Sequence, residues 1–259
     1  MIQVDPDWWQ RLFDEVYLLT DAPFVCDLEL TRREASEVER ALSLSHSDRI
    51  LDLCGGQGRH SLELARRGYG NVTVFDWSEF LLHRGRRDAE RDALSVQFHQ
   101  GDARSLPFPP ASFDAVLLMA NSFGYFADAA DDFRLLAEAS RVAGAGGRFL
   151  MDLIDHDVAL AQFKPESWHE ATDDVVVCWK REIQGDVICV REMVLSKATG
   201  VLRDRTYSER LYTTAKLHEL LLAVGFAEVD VHRNAFVHQP ESGTDLGLAT
   251  NRMLVVAHK

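Results

Sequence analysis

The sequence predicts an α/β domain built on a mostly parallel, doubly wound sheet. Three observations support this fold class: strand-like and helix-like segments alternate between residues 49 and 153, a glycine-rich turn follows the first strand, and a hairpin pattern replaces the alternation after Pro165. Repeated βα units of this size place parallel strands side by side and cover the sheet with helices. With 259 residues, the chain is long enough for one such domain with additions.

The alternation supplies most of the predicted elements. Five strands are expected at 49–53, 72–75, 96–99, 113–119 and 148–153, and three helices at 59–67, 79–93 and 131–142. Before them, apolar residues at helical spacing predict two helices within residues 7–45, separated near Pro23. After Pro165, apolar runs at 175–179 and 187–190 joined by Gln184-Gly185-Asp186, and a further strand at 204–212, predict a small antiparallel insert. A helix at 214–224 and strands at 227–231 and 253–257 complete the chain.

Composition excludes several classes of protein. The 28 Lys and Arg residues face 41 Asp and Glu residues, and the net charge of −13 makes nucleic acid a poor partner. No apolar run approaches the roughly 20 residues that a membrane-spanning helix needs. Four scattered cysteines without a CxxC spacing are expected to be free thiols, and the protein is expected to be cytoplasmic. None of the ten histidines has metal-ligand spacing, so we expect no metal site.

The glycine-rich turn Cys54-Gly55-Gly56-Gln57-Gly58 is the strongest functional signal. Residues without side chains let a ligand lie against the backbone, and the start of the following helix offers free N–H donors. Asp52, near the end of the preceding strand, is available to hold a cation or an amino group. A dinucleotide site needs G-x-G-x-x-G, and Ser61 stands where the third glycine would be, which counts against NAD.

Polar residues follow the next three strands as well. Asp76 ends the second strand about 20 residues past the turn, where a carboxylate can accept both ribose hydroxyls; the alternative is a helix N-cap. Asp102 follows the third strand and can accept the amino hydrogens of a purine. Asn121 and Tyr125 follow the fourth strand and are expected to face the reaction centre, because such sheets bind ligands at the carboxyl ends of their strands.

These four segments, in this order, resemble class I S-adenosylmethionine (SAM)-dependent methyltransferases, from about Trp8 to the C-terminus. Within that superfamily the chain looks most like bacterial small-molecule methyltransferases with a Ser-Phe-Gly-Tyr-Phe type loop after the fourth strand, here residues 122–126. It is also similar to the aminosugar N-methyltransferases that share this loop. The resemblance implies a Rossmann-like, seven-stranded sheet whose last strand, 253–257, is antiparallel.

The resemblance also implies a set of cofactor contacts. The methionine part of SAM would contact Asp52, Cys54, Gly55, Gly56 and Gly58, and the ribose would contact Asp76. Trp77 would flank the adenine, and Asp102 and Ala103 would contact the polar edge of the adenine. Asn121 would face the same site. Cys54 departs from the family pattern, which has glycine there. The chain lacks the Asp/Asn-Pro-Pro-Tyr/Phe tetrapeptide that accompanies methylation of planar nitrogens in this superfamily.

We therefore expect an N-terminal helical cap at 1–45, a SAM-binding core at 46–165, an antiparallel substrate cap at 166–212, and the C-terminal part of the core sheet at 213–259. The expected activity is in-line transfer of a methyl group from SAM to an amine or hydroxyl of a small molecule, with S-adenosylhomocysteine as product. Substrate contact or proton handling is assigned to Tyr17, Tyr125, His156 and His169.

Three alternatives remain at this stage. An RNA methyltransferase would carry a large basic surface, and a non-catalytic SAM-binding protein would lack an open substrate cavity. The insert could form a homodimer through a strand edge instead of capping the site. The partners expected here are a small-molecule substrate, with neither nucleic acid nor membrane.

Overall fold

The computed structural model describes residues 1–237 and 251–259. The helices are α1 (Trp9–Leu12), α2 (Glu15–Thr20), α3 (Ala22–Val25), α4 (Leu28–Leu42), α5 (Arg59–Arg66), α6 (Glu79–Arg91), α7 (Ala129–Val142), α8 (His156–Ala161) and α9 (Thr214–Ala223). The strands are β1 (Ile50–Leu53), β2 (Val72–Asp76), β3 (Val96–Gln100), β4 (Phe113–Leu118), β5 (Ala143–Ile154), β6 (Glu166–Glu170), β7 (Val175–Gln184), β8 (Val187–Ser196), β9 (Gly200–Arg210), β10 (Glu228–Val237) and β11 (Asn251–His258).

Seven strands form the core sheet in the order β10-β11-β5-β4-β1-β2-β3. Strands β1 to β5 pair in parallel, and β11 runs antiparallel between β5 and β10. The predicted fold class, including the antiparallel last strand, is therefore confirmed. Because helices cover both faces, all four residues of central strand β1 are buried. Residues 238–250, within the predicted segment 213–259, lie outside the described part of the chain.

A second, four-stranded antiparallel sheet has the order β6-β7-β8-β9. It extends from Glu166 to Arg210, inside the predicted segment 166–212. Strand β6 and helix α8 are additional to the sequence prediction. The residues of β6, Glu-Ser-Trp-His-Glu, contain no apolar run, and the strand forms because it pairs along β7.

The N-terminal segment contains four helices, of which α1 to α3 are short, where the sequence predicts two. Asp14 begins α2 by accepting hydrogen bonds from the N–H groups of Val16 and Tyr17, and Asp27 begins α4 in the same way. Such side-chain caps stop the preceding helix and start a new one, which apolar spacing does not reveal. The resulting bends let α1 lie between the core and the insert.

Helix α1 and its N-cap residue Trp8 contact both the core and the insert through aromatic side chains. Trp8 packs against Tyr125 of the core and Tyr207 of the insert, with ring centroids 5.0 and 5.6 Å apart. Trp9 makes edge contacts with Trp77 and Phe126, both on the core side. The N-terminal segment thereby covers the carboxyl ends of the parallel strands.

The basic residues of α6 do not form an open cationic patch. Arg84 pairs with Asp88, Arg86 with Glu79, and Arg91 with Asp88. Exposed pairs of this kind contribute little to stability but neutralise the surface charge. In residues 1–237 and 251–259, no helix is long and apolar enough to cross a membrane.

Candidate active site

Two adjoining cavities open at the carboxyl ends of the core strands. The first has a cavity volume of about 100 Å³ and is lined by the glycine-rich turn and the tips of β2 and β3. The second has a cavity volume of about 140 Å³ and lies between the core, the N-terminal segment and the insert. Five residues line both cavities, so the two cavities are direct neighbours: Phe13, Tyr17, Val25, Ala120 and Tyr125.

The glycine-rich turn follows β1 in a left-handed backbone conformation. Gly56 has φ of +58° and Gly58 has φ of +72°, values that favour glycine. Cys54 adopts φ of +56°, so the residue that replaces the family's first glycine keeps a glycine-like backbone path. The backbone can therefore approach a ligand in the first cavity closely, as the sequence predicts.

Asp52 supplies a buried acceptor on the first cavity. Its side chain is fully buried, and Oδ2 accepts a hydrogen bond from the Ser61 hydroxyl at 2.7 Å. Within the described residues, Oδ1 has no hydrogen-bond partner. Burial raises the pKa of Asp52. An unsatisfied buried carboxylate oxygen is costly, and the amino group of a bound methionine moiety would satisfy it.

Asp76 lies at the tip of β2, beside the turn. Its Oδ2 accepts the N–H of Gly56 at 2.8 Å and its Oδ1 accepts the N–H of Ser78 at 2.7 Å. The N-cap of α6 is Ser78, whose hydroxyl accepts from Leu81, so the alternative role of Asp76 as helix cap does not hold. Burial raises the pKa of Asp76 to about 6. The carboxylate retains lone pairs for ribose hydroxyls.

Asp102, predicted to contact the adenine, lines another part of the first cavity. Arg104 donates to both carboxylate oxygens, and this ion pair holds the pKa of Asp102 below its ordinary value although partial burial opposes the shift. The Arg104 guanidinium also lies over the Phe126 ring, 4.6 Å from its centroid. Ala103 and Trp77 line the same cavity. Arg104 was not among the predicted residues, and its role emerges only from this contact.

Two hydrogen bonds fasten the N-terminal segment over the first cavity. Gln57 Nε2 donates to the Val25 carbonyl at 2.9 Å, and Ser78 Oγ donates to the Phe13 carbonyl at 2.7 Å. Gln57 lies in the glycine-rich turn after β1, and Ser78 lies in the segment that follows β2. The covering segment is therefore attached directly to the turn and to the tip of β2.

Gly58 and Asn121 lie outside the lining of the first cavity. A Cβ on Gly58 would come within 2.9 Å of Val74 Cγ2, so this glycine allows α5 to pack closely on β2. Asn121 lines the second cavity, where its Oδ1 accepts from the Ile154 N–H at 3.0 Å and its Nδ2 donates to Glu209 at 3.2 Å. The remaining predicted cofactor residues all line the first cavity.

The four predicted substrate residues separate into two groups. Tyr17 and Tyr125 line both cavities, and burial raises their pKa values, so both hydroxyls stay protonated at neutral pH. His156 begins α8 and pairs with Asp157, and His169 stacks on Trp179 in the insert. Neither histidine lines either cavity. The geometry therefore favours the tyrosines.

The second cavity brings together charged residues that the sequence prediction did not include: Asp21, Arg181, Glu192, Arg203, Glu209 and Arg252. Arg203 pairs with Glu192 at 3.1 Å and with Asp14. One face of the sheet of the insert is turned towards this cavity, because the residues that line it share one strand parity: Val190 and Glu192 in β8, and Arg203, Tyr207 and Glu209 in β9. The sequence cannot reveal that this face packs over the core rather than facing solvent.

Two carboxylic acids in this cavity have raised pKa values because they are buried. The pKa of Asp21 rises to about 7, and its Oδ2 accepts from the Thr20 hydroxyl at 2.7 Å. The pKa of Glu209 is also raised, although the charge of Arg252 opposes the shift. Carboxylates with raised pKa values are suited to accept a proton at neutral pH. In the described residues, no group of three metal-ligating side chains is present.

Comparison with known proteins agrees with the geometry of the first cavity. Residues 50–147 match a family model described as methyltransferase domain. A demethylmenaquinone methyltransferase of Thermus thermophilus is 40% identical over 129 residues, which is 49% of this chain and 55% of the relative. By this match, residues 50–147 form a methyltransferase domain.

Solved structures of SAM-dependent methyltransferases share the whole fold. One from Clostridium acetobutylicum has a TM-score of 0.74 and 17% identity, covering 94% of this chain and 96% of that one. SAM-bound CalS10, an amino pentose methyltransferase from Micromonospora echinaspora, has a TM-score of 0.68 and 18% identity, covering 96% and 98%. At these identities the likeness establishes the fold alone.

The buried acceptor of Asp52 and the turn beside Asp76 fit SAM, the cofactor named for these solved structures. The chain spans about half the length of the curated relatives it matches, with 55%, 45% and 41% of three of them covered. The family model ends at residue 147, before the insert. The finer resemblance to enzymes with a Ser-Phe-Gly-Tyr-Phe type loop stays a prediction.

Proposed function

We propose that this protein transfers the methyl group of SAM to an amine or hydroxyl of a small polar molecule held in the second cavity. The observation that carries the proposal is the shared wall of the two cavities, formed by Phe13, Tyr17, Ala120 and Tyr125 among others. A cofactor in the first cavity and an acceptor in the second would meet at this wall. Such alignment supports direct in-line displacement.

When bound, SAM supplies an activated methyl group, so the protein has to position the acceptor and exclude water. Tyr17 and Tyr125 remain hydroxyl donors at the shared wall and can orient the acceptor by hydrogen bonds. The acceptor lone pair forms the new bond to the methyl carbon while the carbon–sulfur bond breaks and its electrons stay on sulfur. The acceptor nitrogen or oxygen also loses a proton.

We assign Glu209 as the residue that accepts this proton. Burial raises the pKa of its carboxyl group, and its Oε2 accepts a hydrogen bond from Asn121, which follows Ala120 of the shared wall. Asp21, near Tyr17, is another carboxyl group on the same cavity. An amine must be neutral before it can attack, so Glu209 would first take a proton from the ammonium form of the acceptor.

The charged lining favours a polar acceptor over a quinone. Curated relatives are named as quinone C-methyltransferases, but the matched family model lies within the SAM-binding part of the chain. A prenylated quinone would need a long apolar groove, whereas the second cavity contains three arginines and three acidic residues. The acidic surface and the ion-paired arginines of α6 also disfavour RNA.

The test is a substrate screen that detects S-adenosylhomocysteine release from purified protein and SAM. The proposal requires turnover with a small amine or alcohol and predicts none with a demethylated quinone. Tyr125→Phe should slow turnover of the same acceptor while SAM affinity is retained. Turnover with the quinone alone would contradict the amine or hydroxyl assignment, and SAM binding without any turnover would favour the non-catalytic alternative.

A further inference from the structure

Arg252 is a buried cation with unfilled hydrogen-bond donors. It lies in β11 opposite Ile154 of β5, lines the second cavity, and is 6% exposed. Within the described residues, its Nε and Nη1 atoms have no hydrogen-bond partner. The carboxylate of Asp152 forms an ion pair with Nη1 at 3.7 Å, beyond hydrogen-bond range. Its Oδ2 accepts the Ala120 N–H at 3.0 Å, and its Oδ1 has no hydrogen-bond partner among the described residues.

A guanidinium in this state can donate a further hydrogen bond to a ligand. Burial removes the water that would otherwise satisfy its N–H groups, and leaving them unfilled is costly. Other arginines of the cavity do have partners: Arg203 pairs with Glu192, and Arg181 donates to Ser167 at 2.7 Å. Arg252 is therefore the cationic position best placed to receive an anionic ligand group.

The neighbouring acids restrict which anion is suitable. Asp21 and Glu209 line the same cavity, and the charge of Arg252 acts on Glu209. A dianion such as a phosphate monoester would bring two negative charges close to these carboxylates. A ligand with one carboxylate and one amine offers the opposite charge to each side of the cavity.

Aromatic side chains supply the rest of the cavity wall. Trp8, Tyr125 and Tyr207 pack together beside it, and all three line it. The faces of these rings can contact the carbon skeleton of a ligand, and the charged groups of the ligand would contact Arg252 and Glu209.

We propose that the methyl acceptor is an aminocarboxylate, a molecule of the amino-acid class, whose carboxylate is bound by Arg252 and whose amine lies beside Glu209. The inference rests on the proposed function and names its substrate class. Glu209 would first take one proton from the ammonium group. The neutral amine would then form the bond to the methyl carbon while the carbon–sulfur bond breaks and its electrons stay on sulfur, which gives an N-methyl amino acid and S-adenosylhomocysteine.

The experiment uses the full chain saturated with S-adenosylhomocysteine. Binding is measured by calorimetry for the standard amino acids and β-alanine, each beside the amine that lacks its carboxylate, with phosphoethanolamine as the phosphate-bearing counterpart. At least one aminocarboxylate should bind about tenfold or more tightly than its matched amine, because a charge-assisted contact is lost in the amine. The same compound should release S-adenosylhomocysteine when SAM is supplied.

Two variants test the residue itself. Arg252→Gln should remove the preference for the aminocarboxylate and leave binding of the matched amine unchanged, whereas Arg252→Lys should restore part of the preference. The exposed cation Arg191, which pairs with Asp204 on the insert, provides the control Arg191→Gln, expected to bind like the wild type. Unchanged S-adenosylhomocysteine affinity in each variant shows that the fold is intact.

Several results would overturn this inference without touching the proposed function. They are equal binding of the matched amines, tighter binding of phosphoethanolamine, unchanged preference in a folded Arg252→Gln protein, or turnover of some other acceptor while no aminocarboxylate binds. If the chain did not bind SAM at all, that result would instead contradict the proposed function.

Discussion

The Asn121 side chain donates a hydrogen bond to Glu209 Oε2 at 3.2 Å and thereby joins the loop after β4 to the antiparallel insert. The same amide accepts from the Ile154 N–H, so its orientation is determined by the core. Asn121 and Ala120 both have positive φ values, of 60° and 56°. Strained non-glycine backbone often marks functional sites, and here it brings Glu209 to the wall shared by the two cavities.

Replacing Glu209 with glutamine should lower kcat/KM for a confirmed acceptor by about 100-fold or more, because the cavity loses its proton acceptor. SAM affinity should not change, since Glu209 lies outside the first cavity. Glu170→Gln, an exposed substitution on β6, is the matched control. A folded Glu209→Gln enzyme with wild-type kcat/KM would exclude the residue from proton transfer.

Replacing Asp76 with asparagine should weaken SAM binding by at least about tenfold, since charged hydrogen bonds contribute about 1.5–3 kcal/mol. Asparagine keeps the size of the side chain and can still accept from Gly56. Calorimetry measures the change, with Asp230→Asn on the exposed surface of β10 as control. Equal SAM affinities of the two variants would contradict the assignment of Asp76 to the ribose hydroxyls.

SAM affinity should depend on pH through the same carboxylate. The pKa of Asp76 is raised to about 6 by burial, so below this pH the group is mainly protonated and cannot accept both ribose hydroxyls. Affinity is therefore expected to be constant above about pH 7 and to fall by up to about tenfold per unit below pH 6, as expected for one linked proton. Calorimetry of the wild type against Asp76→Asn between about pH 5 and 8 tests this, because the variant should lack the decline.

Alanine at Gly58 should destabilise the fold more than alanine at Gly185. Both glycines have positive φ, +72° and +66°, so each substitution costs about 1–2 kcal/mol in a left-handed conformation. At Gly58 the new Cβ also meets Val74 Cγ2 at 2.9 Å, whereas nothing lies within 4 Å of it at Gly185. Urea unfolding should give a larger loss of unfolding free energy for Gly58→Ala; equal losses would mean that the packing relaxes freely.

The insert should be required for turnover but not for SAM binding. It contributes Glu192, Arg203 and Tyr207 to the second cavity, and none of these residues lines the first. Replacing 166–212 with a short linker should therefore keep calorimetric SAM binding and abolish activity. Light scattering of both proteins distinguishes the alternative, since a change in oligomeric mass would identify the insert as a dimer interface. Full activity of the shortened protein would rule out the cap.

Local patterns in the sequence determined the sheet and the cofactor side of the site. Hydrophobic periodicity locates the parallel strands, and the glycine turn with Asp76 and Asp102 follows them at fixed positions along the chain. These residues converge because the carboxyl ends of neighbouring parallel strands meet at one edge. The bends at Asp14 and Asp27 were less predictable, since capping depends on individual side chains rather than on periodicity.

Only the tertiary structure decided the composition of the second cavity. Arg252 is in the last strand, Glu209 in the insert and Asp21 in the N-terminal segment, so no sequence spacing connects them. Their meeting depends on the packing of α1 between two sheets and on a face of the insert that turns inward. Long-range packing is a property of the folded chain as a whole, and for that reason the acceptor side could not be derived from local sequence.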